Sequence, residues 1–368
     1  MTVCVDARMI NNSGIGVYIV NYVKYLLNID TLNLILLGDK DELSQNFNGY
    51  GTFEIIQFKS PIYSIKEQFY YPFKIPNCDV FWSPHYNVPL FPIRAKRRVV
   101  TIPDAAHLAL AKTFEFSLIK KIYSLIVFRA ATYISDKIIT ISDFSKKEII
   151  KYTGITPLKV ITVHLGIDKS LFKLLHKSSL IGINEKYNLP EKFILFVGNV
   201  KPHKNLIKLL ESFLLASKDI NNIGLVILGK KEGFITGDNK VFAEINSNAY
   251  LTQNVHFTGY VQEADLPKIY NLASLFVFPS LYEGFGFPPI EAMSCGCPVI
   301  CSNAASLPEI CGDAVEYFNP NDSKDLALKI KNVITNEKLK KELIIKGFLT
   351  ANKYTWEISS HQFLNNLL

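Results

Sequence analysis

Glu283 and Glu291 stand eight positions apart around Gly284-Phe285-Gly286-Phe287-Pro288-Pro289-Ile290, shortly after the apolar run Leu275–Phe278. Two glycines let the backbone come close to a ligand. A proline suits the first turn of a helix, where its missing N–H would have no partner anyway. The pattern predicts a helix opening at about Pro288 with Glu291 in its first turn, aimed back at the strand ends. A carboxylate there can accept both hydroxyls of a ribose, as the acidic residue of a dinucleotide site does. Glu283, earlier on the loop, would lie nearer a reacting sugar. One acid at a helix start needs only the dipole to explain it. Two acids flanking a double-Gly, double-Pro loop ask for more.

A second loop, Gly198-Asn199-Val200-Lys201-Pro202-His203-Lys204-Asn205, follows the apolar run Phe193–Val197 and leads into a helical pattern. A helix N-terminus offers unpaired N–H groups and a positive dipole end. Lys204 adds a point charge, a combination that suits a diphosphate. A plain surface loop with solvated lysines is the competing explanation.

The elements that must hold these loops are legible in outline. The chain has 368 residues, with 48% hydrophobic and 20% charged, enough for two domains and unlike a disordered or low-complexity chain. Short apolar strands are expected at Val3–Val5, Leu32–Leu37, Phe53–Phe58, Val80–Trp82, Val99–Ile102, Lys137–Ile141 and Val160–Val163. Val17, Val20, Val23 and Leu27 mark a helix between the first two, and Ser142 or Ser145 a helix cap. Residues 168–192 are polar and read as a linker. The grammar then repeats at Phe193–Val197, Leu225–Leu228, Val255–Phe257, Leu275–Phe278 and Val299–Cys301. Strands alternating with helices predict parallel sheets covered on both faces. The expected fold class is α/β, with two doubly wound Rossmann-like domains, 1–167 and 193–345, facing a cleft. Residues 346–368 form a last helix. Ligands should sit beyond the carboxyl ends of the strands.

The net charge of +7 is uneven, with a surplus of six positive charges in residues 1–167 and all five arginines there. A basic half suits an anionic partner. No nucleic-acid motif is present, and a membrane surface fits better. The basic-aromatic segments Lys59–Phe73 and Lys112–Lys137 could lie among headgroups. No apolar run approaches a membrane span, and the N-terminus does not read as a secretory signal. The expected location is the cytoplasm, peripheral to the inner face of its membrane. Cys4, Cys78, Cys295, Cys297, Cys301 and Cys311 have no metal-binding spacing and read as reduced, buried thiols.

The Glu283–Glu291 spacing resembles the signature of the retaining glycosyltransferases of family 4. So do Ala292-Met293, Gly296, Pro298-Val299-Ile300, Ser306-Leu307-Pro308-Glu309, Gly312-Asp313-Ala314, Gly259-Tyr260-Val261 and the tail at Trp356. The resemblance implies a GT-B fold and metal-independent transfer of a sugar from a nucleotide donor with the anomeric configuration kept. The nucleotide sugar is a substrate, so no cofactor or metal is expected. The departing phosphate would itself help deprotonate the incoming hydroxyl. Carried over, Lys204 neutralises the diphosphate and Glu291 holds the ribose. Glu283, Gly284 and the backbone of Phe285, Gly286 and Phe287 hold the sugar. Tyr260 and Val261 line the base pocket. Gly198, Asn199 and His203 join the donor site, and Gly14 and Gly16 let a first-domain loop approach phosphates or acceptor. Asp104 would act with Lys204 and Glu283 by orienting the acceptor, with His85 and His107 beside it. A guanine-linked mannose-type donor is favoured. The expected acceptor is a lipid-linked saccharide in O-antigen or other surface polysaccharide assembly. The last helix would cross back to the first domain.

There are departures and rivals. The family's frequent Arg before the loop lysine is His203, and its His-Asp pair reads Pro103-Asp104. A dehydrogenase would use Gly14-Ile15-Gly16, but Ile19 replaces the third glycine. Asp39-Lys40-Asp41 mimics a metal-binding D-x-D and reads as a solvated turn. A nucleotide-sugar epimerase or a non-catalytic sugar binder would share the architecture.

Overall fold

The computed structural model describes residues 1–110, 118–229 and 238–368. The chain forms two compact units. The first holds the residues up to Gly166 together with Trp356–Leu368, and the second holds Ile167–Thr355.

The first unit is built on a seven-stranded sheet. Its strands are β1 (Thr2–Asp6), β2 (Asn33–Gly38), β3 (Phe53–Gln57), β4 (Cys78–Ser83), β5 (Ala95–Thr101), β6 (Lys137–Thr140) and β7 (Val160–Thr162). They lie in the order β3-β2-β1-β4-β5-β6-β7, all parallel. The second unit has β8 (Phe193–Val197), β9 (Gly224–Leu228), β10 (Val255–Phe257), β11 (Leu275–Phe278), β12 (Val299–Ser302) and β13 (Glu316–Phe318). Their order is β10-β9-β8-β11-β12-β13, again all parallel. Helices on both faces explain why central strands are continuous apolar runs. Every residue of β8 and of β11 is buried. In each sheet the strand order reverses once, between β1 and β4 and between β8 and β11. Ligand crevices form at such points, beyond the strands' carboxyl ends.

The core shows what positional pattern alone misses. The helix Ser13–Leu27 buries Tyr18, Ile19, Tyr22, Val23 and Leu26, while Val17 faces solvent. The two tyrosines turn the helix because they bring the largest area and because their hydroxyls are satisfied inside. Tyr18 Oη lies 2.9 Å from Thr101 Oγ1, and Tyr22 Oη lies 2.6 Å from Ser359 Oγ. Gly16 permits this packing, since a Cβ there would lie 2.1 Å from the Ile10 carbonyl oxygen. All six cysteines are free and buried. Ser142 caps the helix Asp143–Thr153 by accepting from Ser145 N–H.

Two expected boundaries move. Residues 168–192 are not a loose connection but the first layer of the second unit. Phe172 is buried against Tyr270, its carbonyl accepts from Ser294 Oγ at 2.8 Å, and Asn271 Nδ2 donates to the Lys173 carbonyl. The helix Ile183–Tyr187 is fixed by Lys186 and Tyr187, which both donate to Asp265 Oδ2. At the other end the helix Glu337–Ala351 stays in the second unit, where Gly347 leaves room for Met293. The change of unit falls after Thr355, not after residue 345. The helix Trp356–Leu367 packs Phe363 on Tyr22 and Trp82.

Candidate active site

The β8 and β11 loops meet at the second unit's reversal point because backbone bonds staple them together. Leu281 N–H donates to the His203 carbonyl at 2.8 Å. Asn205 takes the left-handed conformation that an asparagine tolerates, and its Nδ2 donates to the carbonyls of Pro279 and Pro320. A one-turn 3₁₀ segment, Pro202–Lys204, precedes it, and the helix Leu206–Ala216 follows. This frame brings Lys204 Nζ to 2.6 Å from Glu283 Oε1 and 5.3 Å from the Phe278 ring centre. Both charged side chains are mostly buried, so each depends on the other for compensation. Burial, and then the Lys204 charge, push the His203 imidazolium down to about 4, so His203 is neutral near pH 7. The cationic charge on this loop therefore rests on Lys201 and Lys204. Gly198 closes β8 and Asn199 is exposed beside it.

The acidic loop is braced from behind. Ser306 Oγ lies 2.9 Å from the carbonyl oxygens of both Glu283 and Phe285 and shares its proton between them. Phe285 is buried against Phe287 and Tyr354, and Gly284 is buried as well. Gly286 sits at φ +106°, and a Cβ there would stand 2.8 Å from Leu307 Cδ2. The helix opens at Phe287, with Gly286 as its cap. Glu291 is therefore the fifth helical residue and belongs to the second turn, not the first. That distance from the helix end weakens the dipole as its reason for being there. Its Oε2 accepts from Tyr270 Oη at 2.9 Å, and burial pushes the carboxyl up to about 7. Gly286→Ala combines a strained φ with a clash and should cost about 1–3 kcal/mol, read from the urea midpoint. An unchanged midpoint would show that the loop is not held in this conformation.

Tyr260 and Val261 lie beyond the edge strand β10, with β9 and β8 between it and β11. Tyr260 is 81% exposed. The structure thus joins Lys204 to Glu283 and sets Glu291 on the adjoining helix, and it leaves Tyr260 outside that cluster.

The first-unit candidates gather at the ends of β4 and β5. His85 has its Nε2 2.9 Å from Tyr63 Oη, and its ring contacts Tyr86, which stacks on His107. Burial holds both imidazoles below their ordinary value, at about 3 for His85, with His107 adding to it, and about 4 for His107. His107 Nε2 is buried without a hydrogen-bond partner among the described residues. Asp104 Oδ1 accepts at 2.9 Å from the N–H of Ala106, the first residue of the short helix Ala106–Ala109. Gly14 has open space where a Cβ would stand. Asp39 caps the helix Lys40–Phe47 and pairs with Lys59, so Asp39-Lys40-Asp41 is a helix start and not a metal ligand set.

Sequence reasoning did not single out the charged cluster after β1. Arg8 pairs with Asp6 and with Glu67, each at 2.7 Å, between the rings of Phe58 and Tyr71. Asn87 Nδ2 also donates to Glu67. Burial raises the Asp6 carboxyl, but the Arg8 guanidinium outweighs it and leaves Asp6 below its ordinary value. The available signal was Asp6-Ala7-Arg8 itself, charge placed directly on the end of an apolar strand.

Two parallel doubly wound sheets, the second with the loops of β8 and β11 clasped at its reversal point, make up a GT-B fold. A solved structure of similar fold is Anabaena Alr3699/HepE in complex with UDP-glucose, at TM-score 0.77 and 16% identity, covering 100% of this chain and 99% of that one. Residues 183–349 match the model of the family described as glycosyl transferases group 1. It is similar to O-antigen chain mannosyltransferase B of Escherichia coli, 31% identical over 229 residues, 62% of this chain and 59% of that protein. It is also similar to the serotype-specific mannosyltransferase WbdA of Escherichia coli, 31% identical over 228 residues, 62% of this chain and 28% of that protein. The chain thus spans less than two thirds of the length of these relatives. Among the described residues no helix is long and apolar enough to cross a membrane.

Proposed function

We propose that the chain transfers a hexosyl group, mannosyl in the first instance, from a nucleotide sugar to a saccharide acceptor during O-antigen or related polysaccharide assembly. The observation that carries this reading is the Lys204–Glu283 pair at the β8–β11 reversal point, with Glu291 on the helix leaving the same loop. Without a donor, each charge is satisfied by the other. A diphosphate arriving at the helix Leu206–Ala216 takes Lys204 as its counter-ion and frees Glu283 to accept hydroxyls of the sugar. Glu291 accepts from the ribose. As the glycosyl–phosphate bond breaks, negative charge grows where Lys204 and the helix N–H groups already point.

Supporting the choice of sugar are the relatives named as mannosyltransferases. Supporting a nucleotide-sugar donor is the likeness to a protein solved with UDP-glucose. Retention of configuration, independence from metal and a lipid-linked acceptor complete the proposal. The test is a thermal-shift screen of GDP, UDP, dTDP and their sugars. A ligand at about 100 times its Kd stabilises by about 2.7 kcal/mol, so one base should stand out. With the matching donor and acceptor, NMR should show a product of the donor's anomeric configuration, formed equally well in EDTA. Silence for every nucleotide would overturn the reading.

A further inference from the structure

We infer that the outer face of the helix Ile65–Lys74, with the loop between β4 and β5, docks the protein on an anionic lipid bilayer. This goes beyond the transferase reading and does not depend on it. The helix leaves large apolar side chains in water. Phe73 is 87% exposed, Phe69 60% and Tyr70 51%. Across from them, Phe91 is 46% exposed, and its ring lies 5.7 Å from that of Phe69. Phe69, Pro72, Phe73, Phe91, Pro92 and Arg94 line a cavity of about 430 Å³. An apolar patch with an open cavity is unusual on a surface facing only water and marks a contact site.

The charges around the patch choose the partner. Lys66, Lys74 and Arg94 border it, and none of them forms an ion pair among the described residues. The nearest acid in sequence, Glu67, is buried and bonded to Arg8. Lys59, by contrast, is engaged by Asp39. Rings that enter the acyl boundary, ringed by cations at headgroup height, fit an anionic interface better than a protein core would. The sheet register extends the surface. Phe81 pairs with Arg98 and Ser83 with Val100, so Phe81 and Val100 share one sheet face. Phe81 packs on Tyr71 of the helix Ile65–Lys74, and Val100 packs with Phe128 and Ala131 of the helix Leu118–Ile134. The second helix also turns apolar residues outward on this side, Ile122 and Ile126. Of the expected segment Lys112–Lys137, residues 112–117 lie outside the described residues, so the basic-aromatic content of that stretch adds nothing here.

The test is co-sedimentation of the full chain with vesicles of phosphatidylcholine alone and of phosphatidylcholine with phosphatidylglycerol, two to one. The expected result is binding to the mixed vesicles only, lost in about 1 M salt, where screening is nearly complete. K66S/K74S/R94S should lower the partition constant roughly a hundredfold, from about 1 kcal/mol per cation. F69S/F73S/F91S should abolish binding. Both variants should keep the wild-type circular dichroism and the wild-type nucleotide shift, so a failure here is distinct from a failure of the transferase reading. No binding by the wild type at low salt would overturn the inference. So would wild-type binding by either variant, or a wild-type dimer in solution that F69S/F73S/F91S converts to monomer.

Discussion

Lys204→Ala is expected to lower kcat/KM by about 10²-fold or more and to remove most of the thermal shift given by the preferred nucleoside diphosphate. The rate loss follows from deleting a preorganised cation at the position where leaving-group charge develops. The same change strands Glu283, which pairs with no other cation among the described residues, in a mostly buried place. That should cost about 1–3 kcal/mol of stability. A structural role and a chemical role separate in the double variant K204A/E283Q. Neutralising the stranded carboxylate should restore the unfolding midpoint and leave turnover low. Recovery of both would make the pair a fold brace with no part in transfer. Lys204→Arg tests geometry, because a planar fork does not replace a compact ammonium on a short loop.

Glu291 should make donor binding depend on pH around neutrality. Its folded carboxyl is pushed up to about 7, well above the ordinary 4.5, because burial disfavours the charge. A ribose donates to the carboxylate and not to the carboxylic acid. Nucleotide affinity should therefore fall about tenfold per pH unit below 7 and level off above it. Folding stability runs the other way. The native state binds the extra proton between about 4.5 and 7, so this group's contribution is full below 4.5 and is lost as pH rises through 7. Glu291→Gln should flatten both profiles, and Glu291→Ala should abolish the nucleotide shift. Isothermal titration between pH 5.5 and 8.5 reads the first profile, and urea midpoints read the second. A pH-independent affinity in the wild type would remove Glu291 from the ribose.

The fold was legible because central parallel strands carry their own label. Phe193–Val197 and Leu275–Phe278 were readable to the residue, since a strand buried on both faces must be apolar throughout. β13 was not, because an edge strand of three residues beginning with Glu316 carries no such run. Residues 168–192 look polar along the chain, yet their backbone carbonyls and a few side chains, Phe172 among them, do the packing. At the site, Lys204, Glu283 and Glu291 could be picked out by charge beside glycine and proline. Their supports could not. Asn205, Ser306 and Tyr270 act through one or two hydrogen bonds each, to partners at least 21 positions away. No local pattern encodes such bonds. Glu291 also stands one residue deeper in its helix than its spacing suggested, because the helix opens at Phe287, after Gly286, and not at Pro288.

The bond between Tyr22 and Ser359 spans 337 positions. Phe363 fills the space beside Trp82 in the same unit. During synthesis the ribosome delivers the seven strands of the first sheet long before it delivers the side chains that seal one face of it. Nascent protein must therefore hold Trp82 and Tyr22 uncovered while some two hundred further residues emerge, enough for the second unit to mature. The usual order of vectorial folding, first-made first-finished, is inverted in this chain.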